Sequence, residues 1–369
     1  MALIAPAPIA HGGTAPPVPA GTAWLLVDGP TGEVLAEHSA DVARPMASLT
    51  KMMTALVALR SGAPGRMVTV VPAAASVGES SAGLEAGERI TMRDLVRGLM
   101  VGSGNDAALA IAYAVAGSEA GFVVRMNAEA TRLGLTRTRF SNPHGLDEAG
   151  HASSPRDLLI LGRSVMEDPV LRRLVGTRSV SLPGVGGTGT RRLQSENDLL
   201  SIMPEADGIK TGHTAGAGYT LVAHATSARL ARGMYAVLLG EPDRATRARD
   251  AKALLEWGFS NYARPVIVRR GQSVVVVGVQ GVPGASVALV PASDLTATIR
   301  VGTPVRLRVA APSMAVAPVV RGQRLGRVDV VQGDDVVARA ALVAGTAVGA
   351  PGFTDALRTA LAGLGSVFA

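Results

Sequence analysis

Ser48-Leu49-Thr50-Lys51-Met52-Met53-Thr54-Ala55-Leu56 is the stretch on which the reading of this chain turns. Met52, Leu56 and Leu59 recur at helical spacing, so Ser48 falls in the first turn of a helix that buries one face. Lys51 lies one turn on, on the same side as Ser48. A serine hydroxyl is a poor nucleophile until a neighbouring base takes its proton, and a base one helical turn away is held within reach by the backbone. The helix N-terminus adds partial positive charge near the Ser48 oxygen. A serine three residues before a lysine more often means a helix cap and a surface lysine. Met52 and Met53 make that reading uncomfortable here.

Lysine itself is scarce. Only Lys51, Lys210 and Lys252 stand among 36 basic residues, and the rest are arginine. An ammonium can lose its proton when desolvated, whereas a guanidinium stays charged, so lysine is the usable base. Lys210 opens Lys210-Thr211-Gly212, which leads towards an apolar strand where a glycine lets a ligand backbone approach. Between the two lysines, Ser103-Gly104-Asn105 precedes a helix starting near Asp106, so a hydroxyl and an amide are presented on a tight turn. Alone, this trio reads equally as an N-cap cluster. The three motifs in this order carry the argument together.

At 369 residues the chain accommodates two domains. A net charge of +7 draws anions without choosing among them. Arg172-Arg173, Arg191-Arg192 and Arg269-Arg270 are scattered and lack interleaved aromatics, so nucleic acid is not expected as a partner. The absence of cysteine excludes disulfides and thiol catalysis. Residues 1–20, rich in alanine and proline, read as a flexible leader or the remnant of a secretion signal.

Trp24 to Asp28 and Glu33 to Ala36 flank a glycine-rich turn and predict a β-hairpin. Helical patterns follow over Arg93 to Met100, Asp106 to Val115 and Phe122 to Leu133, giving a helical lobe. Tyr219 to Ala223 and Met234 to Leu239 predict neighbouring strands, and Thr246 to Trp257 a helix stopped by Gly258. Composition shifts at Ala263-Arg264-Pro265, after which short valine-rich runs predict a small all-β domain. The expected division is therefore a domain over residues 21–262, a β-rich domain over 263–348 and a C-terminal helix over 349–369. In that last segment Phe353, Leu357, Leu361, Leu364 and Phe368 share one side, as in a helix lying in a membrane interface or, equally, a terminal helix docked on its own β-domain.

These motifs, with Asn142-Pro143-His144-Gly145-Leu146, Ser153-Ser154-Pro155-Arg156-Asp157-Leu158, Asn197-Asp198-Leu199-Leu200 and Asp207-Gly208-Ile209 ahead of Lys210, closely resemble D-alanyl-D-alanine carboxypeptidases, the low-molecular-mass penicillin-binding proteins. The resemblance covers roughly residues 21–345. It implies an α+β, β-lactamase-like fold, with a helical lobe and a five-stranded antiparallel sheet, followed by the family's β-domain. It implies Ser48 as acylated nucleophile, Lys51 as general base, and Ser103 and Asn105 as proton-relay and positioning pair. Lys210 and Thr211 would bind the substrate carboxylate beside Gly212, and the backbone N–H groups of Ser48 and His213 would form the oxyanion hole. Arg247 would lie near that carboxylate, with Arg244 competing for the place. The implied substrate is the peptidoglycan stem pentapeptide and the implied inhibitors are β-lactams. No metal or organic cofactor is implied. The setting would be extracytoplasmic, with peripheral attachment to the membrane through the C-terminal helix.

A cross-link endopeptidase would use the same serine, although related endopeptidases usually lack a β-domain. A β-lactamase would need a glutamate to hydrolyse the acyl-enzyme, and neither Glu148 nor Glu196 lies in the expected motif. A catalytically idle cell-wall-binding scaffold would have no need of both lysines.

Overall fold

The computed structural model describes residues 15–62 and 64–352. They divide into two compact units, Ala15–Phe259 and the segment from Ser260 onward. The larger unit is built on a five-stranded antiparallel sheet in the order Val34–His38, Ala23–Asp28, Arg232–Glu241, Gly218–Ser227, Ala206–Thr214. Ala23–Asp28 is buried at every position. Both faces of such a strand must be covered. Leu25 and Val27 belong to the core shared with the helical lobe, while Leu26 on the other face lies under the helix Arg244–Ser260.

Gly258 does not stop that helix as the sequence suggested; the helix runs through it to Ser260. A Cβ at Gly258 would sit 2.5 Å from Met234 Sδ and 3.2 Å from Leu26 Cδ2. The glycine is there so that the helix can press against the sheet.

The helical lobe holds Lys51–Arg60, Met92–Met100, Asn105–Ala116, Glu119–Leu133 and Pro155–Glu167. Their boundaries follow from local chemistry. Ser118 accepts a bond from Gly121 N at the start of Glu119–Leu133, and Gly117 and Gly134 take left-handed conformations at two helix ends. Met52, Met53, Leu95, Leu99, Ile111, Phe122, Leu158 and Leu161 pack into one apolar core.

The unit from Ser260 onward is a six-stranded sheet ordered Val305–Ala310, Arg324–Gln332, Asp335–Ala344, Ser286–Pro291, Val275–Gln280, Met314–Val316. All neighbours are antiparallel except the last pair. Val277, Val279, Leu289, Val328, Val330 and Leu342 form its own core. The C-terminal helix expected over 349–369 lies, from residue 353, outside the described residues. Among the described residues no single helix is long and apolar enough to cross a membrane.

Candidate active site

Ser48 sits in a single 3₁₀ turn, Ala47–Thr50, that runs into the helix Lys51–Arg60, so the helix begins one short turn later than its sequence pattern implied. Ala47 takes a left-handed conformation, φ +51°, which costs a non-glycine residue of order 1–3 kcal/mol and persists only where neighbours enforce it. They do so closely. A Cβ at Gly145 would fall 2.1 Å from Ala47 O, and one at Gly212 would fall 2.8 Å from Ser48 N. Gly212 therefore admits the serine turn itself, where the sequence suggested room for a ligand backbone.

Lys51 is fully buried. Its Nζ lies 2.6 Å from Ser48 Oγ, 2.7 Å from Asn105 Oδ1 and 2.7 Å from the His144 carbonyl oxygen. Burial, reinforced by the nearby charge of Lys210, holds its pKa well below the ordinary lysine range. Asn105 Nδ2 donates to Gly78 O at 2.8 Å, which fixes the amide orientation and aims Oδ1 at the lysine.

Lys210 belongs to the edge strand Ala206–Thr214 and donates to Ser103 Oγ at 3.0 Å and to Thr211 O at 2.8 Å. Ser103 is buried at φ +56°, in the turn that opens the helix Asn105–Ala116. Burial, with Arg247 adding to it against the pull of Glu196, brings Lys210 down to about 8. Two lysines and two serines thus meet beneath a cleft of about 340 Å³ whose walls include Ser48, Glu79, Ser103, Glu196, Gly212 and His213. Lys210 and Thr211 are buried below it. His213 is exposed, its ring 4.1 Å from that of Tyr219.

The structure separates the two candidate arginines. Arg247 is buried under the edge strand, with Nη1 3.5 Å from both Gly212 O and Thr220 O and Nη2 3.2 Å from Glu196 O. Burial lowers it to about 10. Arg244 is half exposed and forms a two-pronged pair with Asp198 at 2.5 and 2.6 Å. Arg247 is the one behind the cleft, and it touches strand backbone there. Glu148 accepts from Asn142 Nδ2 at 3.0 Å, and Glu196 is an exposed residue on the cleft wall. Among the described residues no group of three or more His, Cys, Asp or Glu is placed to hold a metal ion.

Sequence reasoning missed several supports. The His144 and Gly78 carbonyls act through backbone atoms, which no residue type announces. Asp106 accepts from Ser81 Oγ and from Ala82 N and Leu84 N, tying the loop that carries Glu79 to the Asn105 helix. Its position directly after Asn105 was the available signal.

A serine hydroxyl against a desolvated lysine amine, set between a helical lobe and an antiparallel sheet, is the arrangement expected of a serine acyl-transfer enzyme of the penicillin-binding-protein fold. The D-alanyl-D-alanine carboxypeptidase family model matches residues 11–242, and the chain belongs to that family. It is 37% identical to the D-alanyl-D-alanine carboxypeptidase DacD of Salmonella typhimurium over 272 residues, 70% of this chain and 68% of that one. DacF of Bacillus subtilis is 30% identical over 343 residues, covering 90% of this chain and 87% of the relative. Among solved structures, penicillin binding protein 5 from Haemophilus influenzae superposes with a TM-score of 0.66 at 31% identity, over 91% of this chain and 100% of that one. The chain is a serine-type D-Ala-D-Ala carboxypeptidase.

Proposed function

We propose that this carboxypeptidase removes the terminal D-alanine of peptidoglycan stem pentapeptides through an ester on Ser48, and that β-lactams stall at the same ester. The carrying observation is the 2.6 Å approach of a fully buried lysine amine to Ser48 Oγ. Carbonyl oxygens only accept, so a neutral Lys51 amine spends its two N–H groups on Asn105 Oδ1 and His144 O. Its lone pair is then left to face the Ser48 hydroxyl.

In the first step Ser48 Oγ bonds to the carbonyl carbon of the penultimate D-alanine while its proton passes to Lys51. Charge on the carbonyl oxygen is met by the backbone N–H groups of Ser48 and His213. The C–N bond then breaks, and the proton held by Lys51, relayed by the Ser103 hydroxyl while Asn105 orients the lysine, leaves with the amine of the released D-alanine. Water repeats the sequence on the ester, freeing Ser48 and the shortened peptide. Lys210 supplies positive charge for the substrate's terminal carboxylate, with Thr211 beside it. Arg247 supports that subsite by holding the Gly212 and Thr220 carbonyls. A peptidoglycan substrate supports a setting outside the cytoplasmic membrane, and the apolar residues Phe353, Leu357, Leu361, Leu364 and Phe368 at helical spacing support peripheral attachment there.

Intact-protein mass measurement after exposure to a penicillin tests the reading. A long-lived adduct localised to Ser48 is expected, together with D-alanine release from pentapeptide, both abolished in Ser48→Ala. An adduct that persists in Ser48→Ala, or one hydrolysed as fast as it forms, would overturn it.

A further inference from the structure

We propose that His151 and Thr50 are positioning residues that orient and polarise the backbone N–H of Ser48, through one ordered chain of hydrogen bonds ending on its own peptide group. The inference rests on the reading of that N–H as an oxyanion donor. It follows from which atoms can donate.

Ser141 N donates to His151 Nδ1 at 2.9 Å. A backbone N–H can only donate, so Nδ1 carries no proton, and the neutral ring keeps its hydrogen on Nε2. Nε2 lies 2.7 Å from Thr50 Oγ1 and therefore donates to it. The single hydroxyl hydrogen of Thr50 is then committed to Ala47 O, at 2.8 Å. The Ala47 carbonyl and the Ser48 N–H belong to one planar peptide unit, so holding the oxygen fixes the direction of the N–H. Each bond in such a chain strengthens the next.

A threonine bonding back to the carbonyl three residues earlier is common in helices. Three features set this one apart. Its lone pair is engaged by a buried histidine 101 residues away in sequence. The peptide it holds follows Ala47, whose left-handed backbone needs enforcement. The preceding peptide is clamped in the same way, Thr220 Oγ1 donating to Met46 O at 3.2 Å. Both peptide planes flanking the strained residue are thus pinned by buried threonine hydroxyls.

The ring's surroundings keep it in the required state. Burial pushes His151 down to about 4 against the opposing fields of Glu148 and Asp147, and Phe140 packs edge-on with centroids 6.0 Å apart.

The test separates hydroxyl from shape. Thr50→Val keeps the volume and removes the bond, while Thr50→Ser keeps the hydroxyl. His151→Leu breaks the chain, and His151→Gln retains an acceptor and a donor. Acylation by a penicillin should slow about tenfold in Thr50→Val and His151→Leu, part of the 10²- to 10³-fold cost of deleting a donor outright. The non-covalent affinity for the penicillin should hold, and Thr50→Ser and His151→Gln should recover most of the rate. The infrared band of the ester carbonyl on Ser48 should move to higher frequency in Thr50→Val, because a weaker donor polarises it less. Wild-type acylation with an unshifted band in Thr50→Val, or a Thr50→Ser variant as slow as Thr50→Val, would overturn the proposal. Labelling that survives in Ser48→Ala would instead remove the reading on which it rests.

Discussion

Lys210 offers two measurements that must agree if burial sets its chemistry. Its pKa of about 8, against an ordinary 10.5, means that by pH 9 roughly nine in ten of these side chains lose the positive charge. The ratio of kcat/KM for a peptide ending in a free carboxylate to that for its amide should therefore fall about tenfold between pH 7 and 9. The same burial affects stability. The folded pKa is lowered, so the unfolded chain binds more protons between about 8 and about 10.5, and this lysine's destabilising effect is greatest below 8 and fades as pH rises through that window. At neutral pH the buried charge costs about 3 kcal/mol. Lys210→Met removes that cost and also forfeits the bonds to Ser103 Oγ and Thr211 O, at about 1 kcal/mol each. The variant should be more stable than the parent by about 1 kcal/mol at pH 7, and less stable by about 2 kcal/mol above pH 10.5, by chemical denaturation. Acid and amide peptides sharing one pH profile would refute the carboxylate role. A Lys210→Met protein markedly less stable at neutral pH would refute the burial argument.

Lys51→Arg puts a permanent charge where the proposed base stands, so acylation and D-alanine release should both fall by about 10²- to 10⁴-fold in stopped-flow and turnover assays. An arginine variant with substantial activity would show that Lys51 is not the proton acceptor. Gly212→Ala places a Cβ 2.6 Å from Thr220 Oγ1, 2.8 Å from Ser48 N and 2.9 Å from Ala47 Cβ. It should lower the acylation rate about 10²-fold while costing about 1–3 kcal/mol in denaturant titration, and an unchanged rate would contradict the close approach of strand and serine turn. Deleting residues 353–369 should leave hydrolysis of a small soluble peptide intact and release the protein from anionic vesicles in a flotation assay; a truncated form that floats equally well would place the anchor elsewhere.

The sequence disclosed the elements whose signal is local. The hairpin of Ala23–Asp28 and Val34–His38, the strands Gly218–Ser227 and Arg232–Glu241, and four helices of the lobe, Lys51–Arg60, Met92–Met100, Asn105–Ala116 and Glu119–Leu133, follow from apolar periodicity and turn residues, while the helix Pro155–Glu167 is not among the elements read from them. It misread Gly258, because a helix-stopping glycine and one that admits a methionine sulfur look alike until the sheet is in place. Lys51, Ser103, Asn105 and Lys210 could be nominated because their residue types suit the proposed chemistry. The contacts that hold them could not. His144 contributes a carbonyl, Ala47 a backbone angle, and His151 a ring that meets Thr50, all fixed only when segments about a hundred residues apart are packed together.

Two lysines buried in one site would ordinarily repel each other into disorder or deprotonation, and the surroundings decide which yields. Lys51 meets three oxygen atoms, two of them carbonyls, with no carboxylate bonded to it, and feels the charge of Lys210. Burial and repulsion both favour loss of its proton, in the direction the proposed base requires. Lys210 bonds to one hydroxyl and one carbonyl, and the field of Glu196 favours its proton. It is mostly charged at neutral pH and has one N–H left over, as the proposed carboxylate subsite requires. An arginine at Lys51 would remain protonated, and at Lys210 it would hold its proton through the pH range in which the lysine loses it. Of the three lysines in the chain two stand at this site, where the proposed chemistry asks one to lose its proton and the other to hold it loosely.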